Sequence, residues 1–265
     1  MPSFQQALSS TPLSEGESFG EIQEDWRQGR AAYGGLVAAQ ALKAMQAKVA
    51  PDRPTRALQV VFVAPLDQGP ITAQATVLRA GRSMTLAQAT LFQGDRVLLT
   101  ASGAFGADRD SDIVVLPSAP APIKEPEACM ALPFLPGVTP NFTQHYEYRW
   151  ADGGFPFSGS KDARFKGWCR HKAPVPDSAQ HIVGLADAWP APTLALAKRP
   201  IPASSVTWNL QFLHLPQDPG TGWWRMDYDT DHAQAGVHSI TGQLYAPDGQ
   251  LAALSTQLAV VFDKR

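Results

Sequence analysis

Cysteine is nearly absent from this chain. The two present in 265 residues, Cys129 and Cys169, form neither a C-x-x-C pair nor a disulfide framework. They read as reduced structural thiols, the state expected of a cytosolic protein. Runs of charge are also missing. The formal net charge is −2 with no Lys/Arg-rich stretch, which removes the electrostatic footprint of a nucleic-acid binder and of a polybasic membrane patch. No apolar run approaches the roughly 18 residues that a membrane span needs. The opening "MPSFQQALSSTPLSEGESFG" lacks the basic start and apolar centre of a secretory signal. H-E-x-x-H, G-x-S-x-G and Gly-rich phosphate loops do not occur, so no common metal, nucleophile-elbow or nucleotide motif is available. The composition that remains is globular, 44% hydrophobic and 17% charged.

The order of elements occurs twice. Residues 31–48, "AAYGGLVAAQALKAMQAK", have helical apolar periodicity, with Gly34 and Gly35 near the start and Pro51 beyond the end. Strand-like runs follow at 56–66, 71–93 and 96–106; the second holds two strands turning near Ala80-Gly81, and "QGD" at 93–95 makes a hairpin turn. Thr72, Gln74 and Thr76 alternate with Ala73, Ala75 and Val77, so one sheet face is the more polar. Residues 111–140 are proline-rich and read as an extended linker. Strands are then expected at 142–153 and 164–172, a helix at about 178–189, and further strands over 204–216 and 222–262. An internal repeat accounts for this: residues 1–110 as one unit, 111–140 as linker, 141–265 as the second unit. Each unit is a helix wrapped by a curved antiparallel sheet, an α+β architecture that buries the helix on all sides.

Several stretches carry a family resemblance. "YGGLVAAQAL", "LQVVFVAPL", "LRAGRSMTLAQATLFQGDRVLLTASGAF" and "TGQLYAPDGQLAALSTQ" together resemble acyl-CoA thioesterases of the thioesterase II type. That resemblance implies a double hotdog fold, two tandem helix-and-sheet units with their sheets joined. It also implies hydrolysis of an acyl-CoA to free acid and coenzyme A by a positioned water, with no covalent nucleophile and no cofactor beyond the coenzyme A of the substrate. Carried over residue by residue, Asp187 in "GLADAW" matches the acid and Gln257 in "ALSTQL" the glutamine. Counting back from Phe212 puts Ser205 at the hydroxyl position, but one extra residue before Pro216 could move the register. Thr207, two residues on and on the same strand face, is the second candidate. The chain also departs from close family members at Trp208-Asn209, where they tend to carry Asp-His.

Taken singly, these residues are ordinary: a mid-helix Asp, a terminal-strand Gln, strand hydroxyls. Thioester hydrolysis gives them a joint purpose, since it needs a held water, a proton acceptor and donors for a developing oxyanion. The first-turn N–H groups at Gly34 and Gly35 suit the oxyanion, because they have no intrahelical partner. Tyr33 serves equally as a pocket wall or as packing at the helix entry, and Arg82 in "GRS" as a coenzyme A phosphate contact or a plain turn charge. His232 and His238 read as hairpin and strand residues, and Trp223 and Trp224 as sheet packing. The repeat supplies an internal control: Gln257 falls opposite Gly103, and Asp187 opposite about Ala38, so the polar pair occurs in one copy only. Two other functions fit the fold. One is a non-catalytic acyl-thioester-binding protein. The other is a hydratase or dehydratase, which would want a histidine beside the acid; His181 stands only at the second helix's start. Exposed sheet backs and edges fit self-association into a homo-oligomer.

Overall fold

The structure, a computed structural model, describes residues 3–14, 17–176, 178–216 and 222–264; residues 1–2 and 15–16 of the opening stretch lie outside it. The N-terminal unit contributes β1 (Thr11–Ser14), β2 (Glu17–Ile22), a small hairpin of β3 (Arg27–Gln28) and β4 (Ala31–Ala32), β5 (Thr55–Phe62), β6 (Gly69–Ala80), β7 (Thr85–Gln93) and β8 (Arg96–Phe105). After it come β9 (Met130–Leu132), β10 (Tyr146–Gly153), β11 (Arg164–His171), β12 (Ala203–Phe212), β13 (Trp224–Gln234), β14 (Val237–Tyr245) and β15 (Leu251–Val261). Thirteen of these form one sheet in the order β1-β2-β6-β7-β8-β5-β12-β15-β14-β13-β11-β10-β9. The two units meet where β5 pairs antiparallel with β12, Gln59 opposite Asn209. This is the double hotdog arrangement, with helices on one face of a continuous sheet.

The helices are α1 (Phe4–Ala7), α2 (Gly34–Gln46) and α3 (Ala179–Ala186). In α2 every residue from Gly35 to Leu42 is buried, as is all of α3 apart from the partly exposed Gln180, so neither has a solvated stripe. Ser178 caps α3 by accepting from His181 N–H at 3.2 Å. The helix stops at Asp187, three residues before Pro190 and five before Pro192, which cannot continue it. Asp187 is therefore the C-cap of a short helix and not a mid-helix residue, a correction to the expected 178–189 span. The two helices run antiparallel. Gly34 at the start of α2 lies against Asp187, while Gln46 at its end accepts from the Gln180 side chain at the start of α3.

The expected linker is not wholly extended. It holds a 3-10 turn at Pro126–Ala128 and β9, which pairs with β10 at the sheet edge. The alternation expected in β6 holds: Ile71 and Ala73 are buried, Gln74 and Thr76 exposed. Each unit also carries a β-bulge at a matching place, between Thr55 and Ala57 in β5 and between Ser205 and Thr207 in β12. Matching the bulges sets Thr55 equivalent to Ser205. It also sets the Leu58–Gly103 pair equivalent to the Trp208–Gln257 pair, the Gly103–Gln257 correspondence expected from sequence.

Candidate active site

Asp187, Ser205 and Gln257 converge. The Gln257 Nε2 donates to Asp187 Oδ1 at 3.2 Å and to Ser205 Oγ at 2.6 Å. One nitrogen carries two hydrogens, so both are used in these two bonds, and the carboxamide oxygen remains as an acceptor. Ser205, having accepted from Gln257, still has its own O–H to donate. The N–H of Gly35, in the first turn of α2, also donates to the Asp187 carboxylate. A Cβ built on Gly34 would stand 2.7 Å from Asp187 Oδ2 and 3.3 Å from Phe62 Cζ, so only glycine leaves that side of the carboxylate open. Both units thus build the site: β12, β15 and the end of α3 from one, and the start of α2 from the other.

The electrostatics follow from this packing. Burial pushes the Asp187 carboxyl up from its ordinary value to about 7, and the Gln257 and Gly35 donations oppose the rise. By surface exposure Asp187 is only partly buried. The dense surroundings of its carboxyl, and not the residue's mean exposure, govern its titration. Its position at the negative end of α3 acts in the same direction as burial, and the positive start of α2 acts against it.

The bulge separates the two candidate hydroxyls. Ser205 pairs with Ala259, a buried inward position, whereas Thr207 pairs with Leu258 and Val61, which are 37% and 43% exposed. Val206 is the extra residue between them, so Ser205 and Thr207 fall on opposite faces. The same-face expectation for Thr207 fails for that reason, and the hydroxyl that Gln257 reaches is that of Ser205.

Residues 22–106 match the acyl-CoA thioesterase N-terminal domain, and residues 126–261 match the acyl-CoA thioesterase C-terminal domain. The chain belongs to the acyl-CoA thioesterase family. A hotdog-fold protein of unknown function from Alicyclobacillus acidocaldarius is 26% identical, with TM-score 0.86 and 97% of each chain covered. An acyl-CoA thioesterase II from Mycobacterium marinum is 18% identical, with TM-score 0.80 and 98% of each chain covered, and shares the fold. A dehydratase domain from Pseudomonas fluorescens, 12% identical at TM-score 0.58 over 94% of this chain and 96% of its own, shares it more loosely. A search of curated proteins finds no match.

Two substrate-contact candidates lie outside the triad's own hydrogen bonds. Tyr33 is fully buried; its hydroxyl donates to Gly184 O and its ring stacks on Phe142 at 4.0 Å. Of the two roles open to it, the structure supports packing at the helix entry. Arg82 sits in the turn between β6 and β7, where its carbonyl accepts from Arg53 Nη2 at 3.3 Å. At the end of that turn Thr85 pairs with Phe105, whose other strand partner is Thr55, and β5 runs seven residues from there to Asp187's neighbour Phe62, about 23 Å at strand rise. Arg82 therefore lies away from the triad, which bears on the reacting group and not on a coenzyme A phosphate. Missed at the sequence level were the tyrosines around α3. Tyr146, Tyr148 and Tyr228 are buried with their hydroxyls on carbonyls of its last turn and of Ala188 just beyond. Their signal was faint: Tyr146 and Tyr148 alternate in one strand, but nothing in that spacing names a partner.

Proposed function

We propose that the protein hydrolyses an acyl-CoA thioester to the free acid and coenzyme A, by direct attack of a water held between Asp187, Gln257 and Ser205. The observation that carries this reading is the Asp187–Gln257–Ser205 chain, in which one carboxamide ties an acid to a hydroxyl. The water gives one proton to the Asp187 carboxylate as its oxygen bonds the thioester carbon. The Gln257 Oε1 and the Ser205 hydroxyl fix its direction. The Gly34 N–H at the start of α2 is the proposed donor for the carbonyl oxygen as it becomes negative, since the Gly35 N–H goes to Asp187 and the Leu36 N–H to Tyr33 O. The C–S bond then breaks, coenzyme A leaves as thiolate, and the proton held by Asp187 balances the charge to give acid and thiol. No group of the enzyme becomes acylated.

A hydratase reading wants a histidine at the carboxylate. The groups that bond Asp187 here are an amide and a backbone N–H, and His181 lies six residues back along α3, about 9 Å of helix rise. Thiol release from a panel of acyl-CoAs of different chain length and branching tests the proposal. Release from at least one supports it; none from any, with thioester binding retained, identifies a binding protein.

A further inference from the structure

Four of the chain's five tyrosines point their hydroxyls at one place, the end of α3. Tyr33 comes from the start of α2, Tyr146 and Tyr148 from β10, and Tyr228 from β13. Tyr146 Oη donates to Gly184 O at 3.3 Å, and Tyr33 Oη donates to the same carbonyl. Tyr228 Oη donates to Ala186 O, and Tyr148 Oη to Ala188 O at 3.1 Å. A helix ends with up to four carbonyls lacking intrahelical partners. Here phenols supply the donors, and the residue they surround is Asp187.

The backbone makes room for this arrangement. A Cβ on Gly35 would meet the Tyr33 ring at 2.6 Å and one on Gly242 the Tyr228 ring at 2.5 Å, while one on Gly184 would meet the Phe4 ring at 2.7 Å and the Tyr146 hydroxyl at 3.1 Å. Two tyrosine rings therefore rest over glycines, and the Asp187 carboxylate over a third, Gly34. A buried tyrosine needs one hydroxyl partner, but that need does not explain why four share one turn. All four phenols lie close enough to feel the Asp187 charge, yet each has a backbone carbonyl as acceptor, and Tyr33 and Tyr146 also bond each other. The donors left to the carboxylate are Gln257 and Gly35.

We infer that Tyr33, Tyr146, Tyr148 and Tyr228 are positioning residues for Asp187, holding the last turn of α3 by its carbonyls so that the carboxylate keeps its aim at the attacking water and meets few other donors. This rests on the hydrolase reading for its consequence in turnover, but not for its consequence in titration. Deleting one hydroxyl leaves a buried carbonyl without its donor. That carbonyl recruits water, and water beside Asp187 adds a donor that favours its ionised form.

Tyr228→Phe and Tyr148→Phe keep the rings and remove only the hydroxyls. For each, kcat on the best acyl-CoA should fall about tenfold with KM nearly unchanged, a misalignment effect. The pH midpoint of Asp187 should move down by about one unit. The midpoint is also readable without activity, as the difference in unfolding free energy against pH between the Asp187 and Asp187→Asn forms. If wild type hydrolyses nothing but the midpoint still moves, the hydrolase reading fails and the positioning role stands. A midpoint that stays or rises in both tyrosine variants, whatever happens to Tm, overturns the inference.

Discussion

At the scale of the residue, one acid is kept against its own preference for water. An Asp whose pKa is about 7 in the folded protein and near 3.9 in the unfolded chain binds its proton more readily when folded. Its contribution to stability is therefore greatest below pH 4 and is lost as pH rises through 7, a cost on the order of 4 kcal/mol. Asp187→Asn should release that cost. It should melt higher than wild type at pH 8 while lowering kcat at least about a hundredfold, the usual scale for a lost proton acceptor. Melting curves and thiol release read the two effects on one sample. An Asn form that is inactive and also less stable at pH 8 would show that the carboxylate is well solvated. Gly34→Ala separates function from folding in another way. Alanine is intrinsically the better helix former by up to about 1 kcal/mol, but its Cβ would stand 2.7 Å from Asp187 Oδ2. We expect kcat to drop tenfold or more, a rough figure for a displaced acid, with little loss of melting temperature. Full activity in this variant would mean that the open side of the carboxylate has no part in the reaction.

At the scale of the element, a single inserted residue decides which hydroxyl serves. Alternation along a strand would put Ser205 and Thr207 on one face; the bulge at Val206 puts them on opposite faces. Ser205→Ala should lower kcat about tenfold or more, while Thr207→Ala should stay within about twofold; initial rates on one acyl-CoA decide it, and the reverse order would mean a different register. This is also where legibility ended. Helix α2, the hairpins of the first unit and the double-unit repeat are legible in periodicity and turn residues, whereas Asp187 and Gln257 are singled out by the family resemblance alone. The bulge is not legible, because it depends on how β15 pairs with β12. Helix α3 ends earlier than its sequence suggests, because its apolar pattern runs on past Asp187 to Trp189, and the tyrosines that finish the helix come from distant elements. Aligning the repeat by its glycines set Asp187 against Ala38, which the structure corrects. Ala38 lies in the middle of α2. The counterpart of the site is at that helix's end, where Gln46 Nε2 donates to Thr55 Oγ1 at 3.0 Å. There Met45 and Phe105 crowd Gly103, the position equivalent to Gln257.

At the scale of the whole molecule, the two units are unequal partners in one site. The antiparallel helices bring the start of α2 to the end of α3, so the N-terminal unit gives glycines and a positive helix end, and the C-terminal unit gives the acid, amide and hydroxyl. The N-terminal segment closes over this core: Phe4 packs on Trp26 and His171, and Lys43 Nζ donates to Leu8 O at 2.6 Å. That closure buries His171, and burial, with His181 nearby, holds its pKa well below the usual histidine value. The unfolded chain then binds a proton that the folded chain refuses. Stability should fall as pH drops below about 6.5. His171→Phe should blunt that acid sensitivity in melts between pH 7 and pH 5; an unchanged slope would place the acid-sensitive group elsewhere.

The role of Asp187 is tested most directly by kcat against pH for one hydrolysed acyl-CoA, in wild type and Asp187→Asn. The wild-type rate should rise with pH through a midpoint near 7, and the variant should keep a residual rate without that midpoint. A flat wild-type profile, or the same midpoint surviving in Asp187→Asn, would contradict that role.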